Sequence, residues 1–429
     1  MKRFVTAASA ACLIGMSSVP LSAAEVTSSV AHGTLVQRPA PIELSPNDKA
    51  HLLINNEPGV VKARHALDAV RQRAEMLTAG PYEWTARTSA QRRSYRSGAP
   101  AVGEWSVGLE RTLRVGGKAA LDRQLGEVQV RLAEARLGEA RHETARELLD
   151  LSLNWLGAVR TRLLWVEQLG FAQASFNAAE TRRKAGDASM LEQNLARADL
   201  ADVLRQLSTA VNEVNKALAR LRTRFVQLDL QAVALSAPEP LEPEGALWRE
   251  HILGESDVLR IAQEDLKRAE LIASRAGADR LADPTVGVHA TSEGGGAERI
   301  VGLTLSIPLG STYRNAQLRE ALAQVEVARS AVDRSRRELE SDIAENLVDV
   351  SGSLERWKFA EQARAATQEN ARLAQRAYSL GESDVQAVLL TRRQAVDAAL
   401  GAAQARVDAL RVRYRLLVDA HLIWGLADE

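Results

Sequence analysis

Proline placement constrains this chain more than any other feature. Its 429 residues hold twelve prolines, and none falls within 101–237 or 309–429. Proline removes a backbone donor and clashes with the preceding turn, so its absence over such lengths permits very long helices. Both stretches are rich in Ala, Leu, Glu, Arg and Gln, which favour helix. A helix from about Gly117 to Ala185 would extend ~100 Å at ~1.5 Å per residue, which no compact domain needs. Glycines 126, 138, 157 and 170 are expected to bend that helix without breaking it.

The hydrophobic pattern agrees. Leu204, Leu207, Val211, Val214, Leu218, Leu221 and Phe225 alternate spacings of three and four. So do Leu400, Ala403, Val407, Leu410, Tyr414 and Leu417. That is the seam of a helix facing a partner in a coiled coil. Ahead of each helical stretch the period changes to two. Trp105 to Val115 is apolar at every second position except Arg111, and Val301 to Leu309 alternates unbroken. Such segments read as strands lying between a greasy and a wet environment. Their upstream partners are expected at roughly Tyr82–Tyr95 and Pro284–Thr291, across loops rich in Gly, Ser and Pro.

The two strand-to-helix units are copies. Val107, Leu109, Leu113, Val115 and Gly116 match Val301, Leu303, Ile307, Leu309 and Gly310 at an offset of 194. Lys184 to Asp187 matches Ser379 to Glu382 at an offset of 195. So little drift marks a duplication. Gly186 and Gly381 are then the turns where one long helix reverses into the next. The Pro/Glu-rich segment Leu235–Gly245 links the halves. Each half reads helix, strand, loop, strand, very long helix, tight turn, long helix. The fold class is mainly α with a small β part.

The start reads as an export signal: Lys2 and Arg3, an uncharged run to Ala24, and small residues at Ser22-Ala23-Ala24. A membrane anchor is the alternative. Cleavage would remove Cys12, the single cysteine, and with it any disulfide or thiolate chemistry. No other apolar run approaches the ~18 residues of a membrane helix, so membrane insertion would have to use strands. Four strands cannot close a barrel, and open edges are not tolerated in lipid, so several protomers would pool theirs.

Equal counts of 55 basic and 55 acidic residues argue against nucleic acid as partner. Gly116-Gly117-Lys118 is no phosphate loop, since Thr112 and Ala119 stand where Gly and Ser/Thr are required. The histidines at 32, 51, 65, 142, 251, 289 and 421 show no zinc-enzyme spacing, and no catalytic arrangement stands out. Six of them read as surface or packing residues. His289 is the exception, because it falls on the polar face of its strand, where a weak metal contact is conceivable. Trp84 and Trp105 suit either a membrane interface or strand-end packing. Arg92, Arg93 and Arg96 suit either lipid phosphates or solubility.

Over essentially the whole mature chain, this arrangement resembles the TolC-type outer-membrane efflux proteins. The Gly116-Gly117-Lys118 segment with Arg123, and Pro308-Leu309 with Arg314-Asn315, resemble the Czc-like heavy-metal branch. The resemblance implies a homotrimer in which each protomer gives four strands to a shared barrel and four long helices to a periplasmic tunnel. Signal peptide (1–24), periplasmic segment and helix (25–80), first strand pair (81–116) and first hairpin (117–230) would form one half. A linker (231–246), periplasmic helix (247–282), second strand pair (283–310) and second hairpin (311–429) would follow. Implied partners are outer-membrane lipid, a periplasmic adaptor docking at Gly186, Asp187, Gly381 and Glu382, and an inner-membrane pump; no cofactor is implied. Tyr378 and Glu192 match the family's latch. Acids found elsewhere in the family six and nine residues after the second turn glycine are replaced by Ala387 and Leu390. Leu195 and Leu390 would instead form an apolar ring, or simply pack in the coiled coil. The expected cargo is divalent heavy-metal cations such as cobalt, zinc or cadmium. A channel for drugs or type I protein secretion, and a periplasmic adaptor or other soluble coiled coil, are the alternatives.

Overall fold

A computed structural model of the chain describes residue 35 and residues 38–226, 228, 232–242 and 245–425. The leader expected over 1–24 and part of the linker lie outside them. Eight α-helices and four strands are found among the described residues, with a short 3-10 turn at Gly294–Gly296. The first half holds α1 (Asn47–Asn55), α2 (Pro58–Ala79), β1 (Thr85–Arg93), β2 (Val102–Thr112), α3 (Lys118–Ala185) and α4 (Met190–Arg224). The second holds α5 (Gly245–Glu255), α6 (Asp257–Ala278), β3 (Thr285–Glu293), β4 (Glu298–Ser306), α7 (Thr312–Ser379) and α8 (Val385–Asp419).

The duplication read from sequence is visible in helix lengths. Both α3 and α7 have 68 residues, and both α4 and α8 have 35. α3 runs through its four glycines without interruption. Three of them mark close approaches. A Cβ would lie 3.0 Å from Ala74 Cβ at Gly126, 2.5 Å from the Asp257 carboxylate at Gly138, and 3.3 Å from Val407 at Gly157. The α4 seam holds at Val214, Leu221 and Phe225, but nearer the turn Ala196, Val203 and Ala210 are buried instead of Leu204 and Val211. Small residues let α4 close on α3 there and leave the larger side chains outside.

The sheet has the order β1-β2-β3-β4, antiparallel throughout. β2 and β4 each lie about three residues upstream of the segments read from sequence; β4 ends ahead of Pro308, which has no N–H to give. Register fixes two faces. Leu109, Val288 and Leu303 share one side, as do Val107, Ala290 and Val301. On this side Val301 and Leu303 are each 84% exposed. The other side is polar and paired: Arg87 donates to Glu110 at 2.8 Å, Ser89 meets Ser106 at 2.7 Å, and Gln91 donates to Glu104 at 2.8 Å. Arg93 is committed to Glu104 and Glu293 on this same face. Arg111, the charge on the apolar face, reaches the strand end, donates to the Tyr82 carbonyl and stacks over Trp84. No helix among the described residues is long and apolar enough to cross a membrane.

Between sheet and helices the two repeats are locked together. Gly116 and Gly117, at φ 68° and 78°, turn the chain from β2 into α3 and deliver Lys118 to the interior. Its Nζ donates to the Leu281 carbonyl and to Asp283 Oδ1, both at 2.7 Å, and lies 3.2 Å from Asp279. Asp122 receives Arg114 and Arg275. Midway along the long helices lies the main core. There Leu148, Leu149 and Leu153 of α3 meet Leu410, Tyr414 and Leu417 of α8, with Ile54, Trp248 and Trp424 sealing it.

Candidate functional site

Both hairpin turns are built alike. α3 ends at Gly186, whose φ of 85° lets Asp187 N–H reach back to the Arg182 carbonyl at 2.8 Å. At the second turn Gly381, φ 77°, lets Glu382 N–H reach the Ala377 carbonyl at 2.9 Å. These are left-handed helix stops that side-chain-bearing residues resist. Three residues after each glycine stands the cap of the next helix. Ser189 Oγ accepts from Glu192 N–H at 3.1 Å, and Asp384 Oδ1 accepts from Ala387 N–H at 2.8 Å. Gly186, Asp187, Gly381 and Glu382 are all exposed, beside exposed Met190, Leu191 and Leu380.

Ser189 and Glu192 have the spacing of a capping box, in which the acid would turn back to the cap. Here its carboxylate is taken by the other hairpin. Tyr378 Oη donates to Glu192 Oε1. Arg182 Nη1 donates to the same oxygen at 2.9 Å and to Tyr378 Oη at 2.5 Å. Arg182 Nη2 also holds the Asp187 carbonyl at 3.1 Å, and the guanidinium lies 5.3 Å from the Tyr378 ring centre. Burial pushes the Tyr378 phenol above its ordinary pKa, and the Glu192 carboxylate adds to that, so the proton stays on the phenol. The result is a charge-assisted cluster tying the turns of the two repeats.

Arg182 is the member that sequence reasoning missed. The signal was there: a basic residue in the last turn before a stop glycine faces unpaired carbonyls, and ten residues on lies an acid. Leu195 is half-buried and Leu390 is 59% exposed, so neither is a core residue of the single chain. His289 lies between Gly108 and Gly302 in the register, on the polar face with Arg87. A Cβ at Gly302 would come within 2.5 Å of the His289 ring, so that glycine makes room for the imidazole. Among the described residues His289 joins no group of metal-ligating side chains; one such group lies elsewhere, at His142, Asp257 and His421.

Residues 50–224 match the family described as outer membrane efflux protein. No curated protein matches the chain. Solved structures match in fold across almost the whole chain. A membrane protein from Pseudomonas aeruginosa superposes with a TM-score of 0.76 at 17% identity, covering 91% of this chain and 93% of that one. The outer-membrane channel OprN gives 0.70 at 19% identity, covering 88% and 90%. The outer membrane protein VceC from Vibrio cholerae gives 0.72 at 15% identity, covering 87% and 95%.

Proposed function

We propose that this chain, whose residues 50–224 match the outer membrane efflux protein family, is the outer-membrane channel of a three-part efflux system and exports divalent heavy-metal cations. The observation that carries the channel reading is the sheet. It has one exposed apolar face, one charge-paired polar face and two edges, β1 and β4, that are unpaired among the described residues. Open edges are excluded from lipid, so three copies joined β4 to β1 would give a closed barrel with its polar face around a lumen. The helical hairpins then continue that lumen as a tunnel. The exposed turns at Gly186, Asp187, Gly381 and Glu382 are the surface for a periplasmic adaptor, which connects to an inner-membrane pump. The Tyr378–Glu192–Arg182 cluster is the latch of the periplasmic end.

The cargo assignment rests on Gly116-Gly117-Lys118, Arg123, Pro308-Leu309 and Arg314-Asn315, the segments that resemble the heavy-metal branch. His289, on the lumenal face, offers passing cations a single weak contact. Deleting the gene in its host and measuring cell-associated cobalt, zinc and cadmium after a metal challenge tests the cargo. Metal accumulation in the deletion strain, reversed by the wild-type gene, is expected. Unchanged metal content with retained drugs, or with a secreted protein trapped in the cell, would assign the channel to those substrates instead.

A further inference from the structure

Three histidines that sequence reading took as packing converge at the level of the main core. His142 of α3 is buried, and its Nε2 lies 3.1 Å from Asp419 Oδ1, which also accepts from Arg146 at 2.7 Å. His421, just past α8, adopts φ 54° and packs edge-on against His142, with ring centres 5.2 Å apart. Both ring nitrogens of His421 are shielded from water and have no hydrogen-bond partner among the described residues. Asp257, the first residue of α6, brings a buried carboxylate to the same spot. One ligand atom from each of His142, Asp257 and His421 lies within 4.8 Å of the others. Gly138 makes the space for that carboxylate, since a Cβ there would collide with it. His251 bonds the Ala420 carbonyl nearby, and Arg260 donates to Asp257 Oδ1 at 2.9 Å. Beside the cluster opens a cavity of about 210 Å³, which His142 and Asp419 line together with Glu139, Asp342, Glu345 and Asp349.

A shielded imidazole with two unused nitrogens is costly unless something binds it. Two imidazoles and one carboxylate are a donor set that suits zinc-like ions. The Asp419 carboxylate behind His142 holds Nε2–H and leaves Nδ1 with the lone pair, which is how ligand histidines are oriented. Ligand atoms around tetrahedral zinc are ~3.4 Å apart for bonds of ~2.0–2.1 Å, so the three side chains need to draw in by only about 1 Å. The carboxylates lining the cavity outnumber Arg146 and Arg415, so it attracts cations beside His142.

We propose that His142, Asp257 and His421 form a binding site for a zinc-like divalent ion, which clamps the segment after α8 to α3 and α6. The site is separate from the lumen face and from the turns, and it does not depend on what the channel exports. It can be tested on the full-length protein, purified in detergent without a histidine tag and stripped with chelator. Titration with Zn²⁺ by calorimetry should show one tight site per chain, and Co²⁺ should give a visible absorption band from nitrogen and oxygen ligation. His421→Asn suits the positive φ, and Asp257→Asn keeps the size of the carboxylate. Each should weaken Zn²⁺ binding by at least about tenfold and abolish the cobalt band, with unchanged helical circular dichroism. Absence of the site from the wild-type protein, or its retention in either folded variant, overturns the proposal.

Discussion

Lys118 opens α3 with its side chain buried, and its ammonium meets Asp283, 165 residues further along the chain. The pair joins the start of the first long helix to the entry of β3, so it fixes the sheet of one repeat against the helices of the other. Burial alone would raise the Asp283 carboxyl, but the bonds from Lys118 and Val115 N–H outweigh it and hold its pKa below the ordinary value. Lys118→Met leaves the Asp283 carboxylate without its cation, while Asp279 keeps Arg275. We expect a loss of about 3–5 kcal/mol, seen as a lower thermal midpoint of the detergent-solubilised protein. Adding Asp283→Asn to Lys118→Met should recover part of that loss. A full additive penalty in the double mutant would mean the two residues act independently.

The turn cluster should control conductance. Tyr378→Phe removes one hydroxyl and leaves the ring under Arg182, so it separates the latch from packing. A bond of this kind is worth about 1.5–3 kcal/mol when partly shielded. Tyr378→Phe and Glu192→Gln are each expected to raise single-channel conductance in planar bilayers, with the double mutant adding little. Arg182→Met should act in the same direction, because the guanidinium contacts both partners. Wild-type conductance in an assembled Tyr378→Phe protein would make these residues packing only.

On the sheet, the face carrying Val301, Leu303 and Leu305 should meet lipid. Leu303→Arg is expected to cost ~2–4 kcal/mol of insertion free energy if the position lies near mid-membrane. The readout is the yield of folded, heat-modifiable oligomer in outer-membrane fractions. Thr304→Arg, one residue along and on the opposite face, should insert far better. Equal yields from the two variants would remove the assignment of faces.

Acid should loosen the core through His421. Burial, with the nearby His142, Arg260 and His251, pushes its pKa from 6.5 down to about 4, while Asp419 pulls the other way. The folded protein therefore refuses a proton that the unfolded chain accepts. The stabilisation from keeping this ring neutral is complete above pH 6.5 and is lost as pH falls through about 4. That window carries about 3 kcal/mol per chain. Urea midpoints in metal-free buffer should fall between pH 6.5 and 4, and His421→Asn should flatten the slope. The same slope in the variant would place the proton elsewhere.

Much of this molecule is legible in the sequence because its features repeat over long distances. Two proline-free stretches announce four long helices, and period-two runs around Leu109 and Leu303 announce strands with one greasy face. Tyr378 and Glu192 were legible through the family resemblance alone, because their spacings from Gly381 and Gly186 are those of the family's latch. What stayed hidden depends on contacts between distant segments. Nothing local tells that Gly138 makes room for Asp257, or that His142 and His421 meet. The α4 seam slipped for a related reason: spacing counts apolar residues alike, whereas helix approach selects Ala196 and Ala210 over Leu204 and Val211.

The β2–β3 pairing has a consequence in time. Thr112 and Thr285 bond across the middle of the sheet, yet 173 residues of chain separate them. A chain made at ~5–20 residues per second completes β1 and β2 roughly 10–30 s before β3 is made. Through that interval a two-stranded ribbon with an apolar face and an open edge waits in water, marginal by itself and prone to stick. Closing so long a loop is slow, and the helices cannot shorten the wait. The first ribbon is therefore the part of the nascent molecule that most needs a chaperone's hold on its way to the membrane.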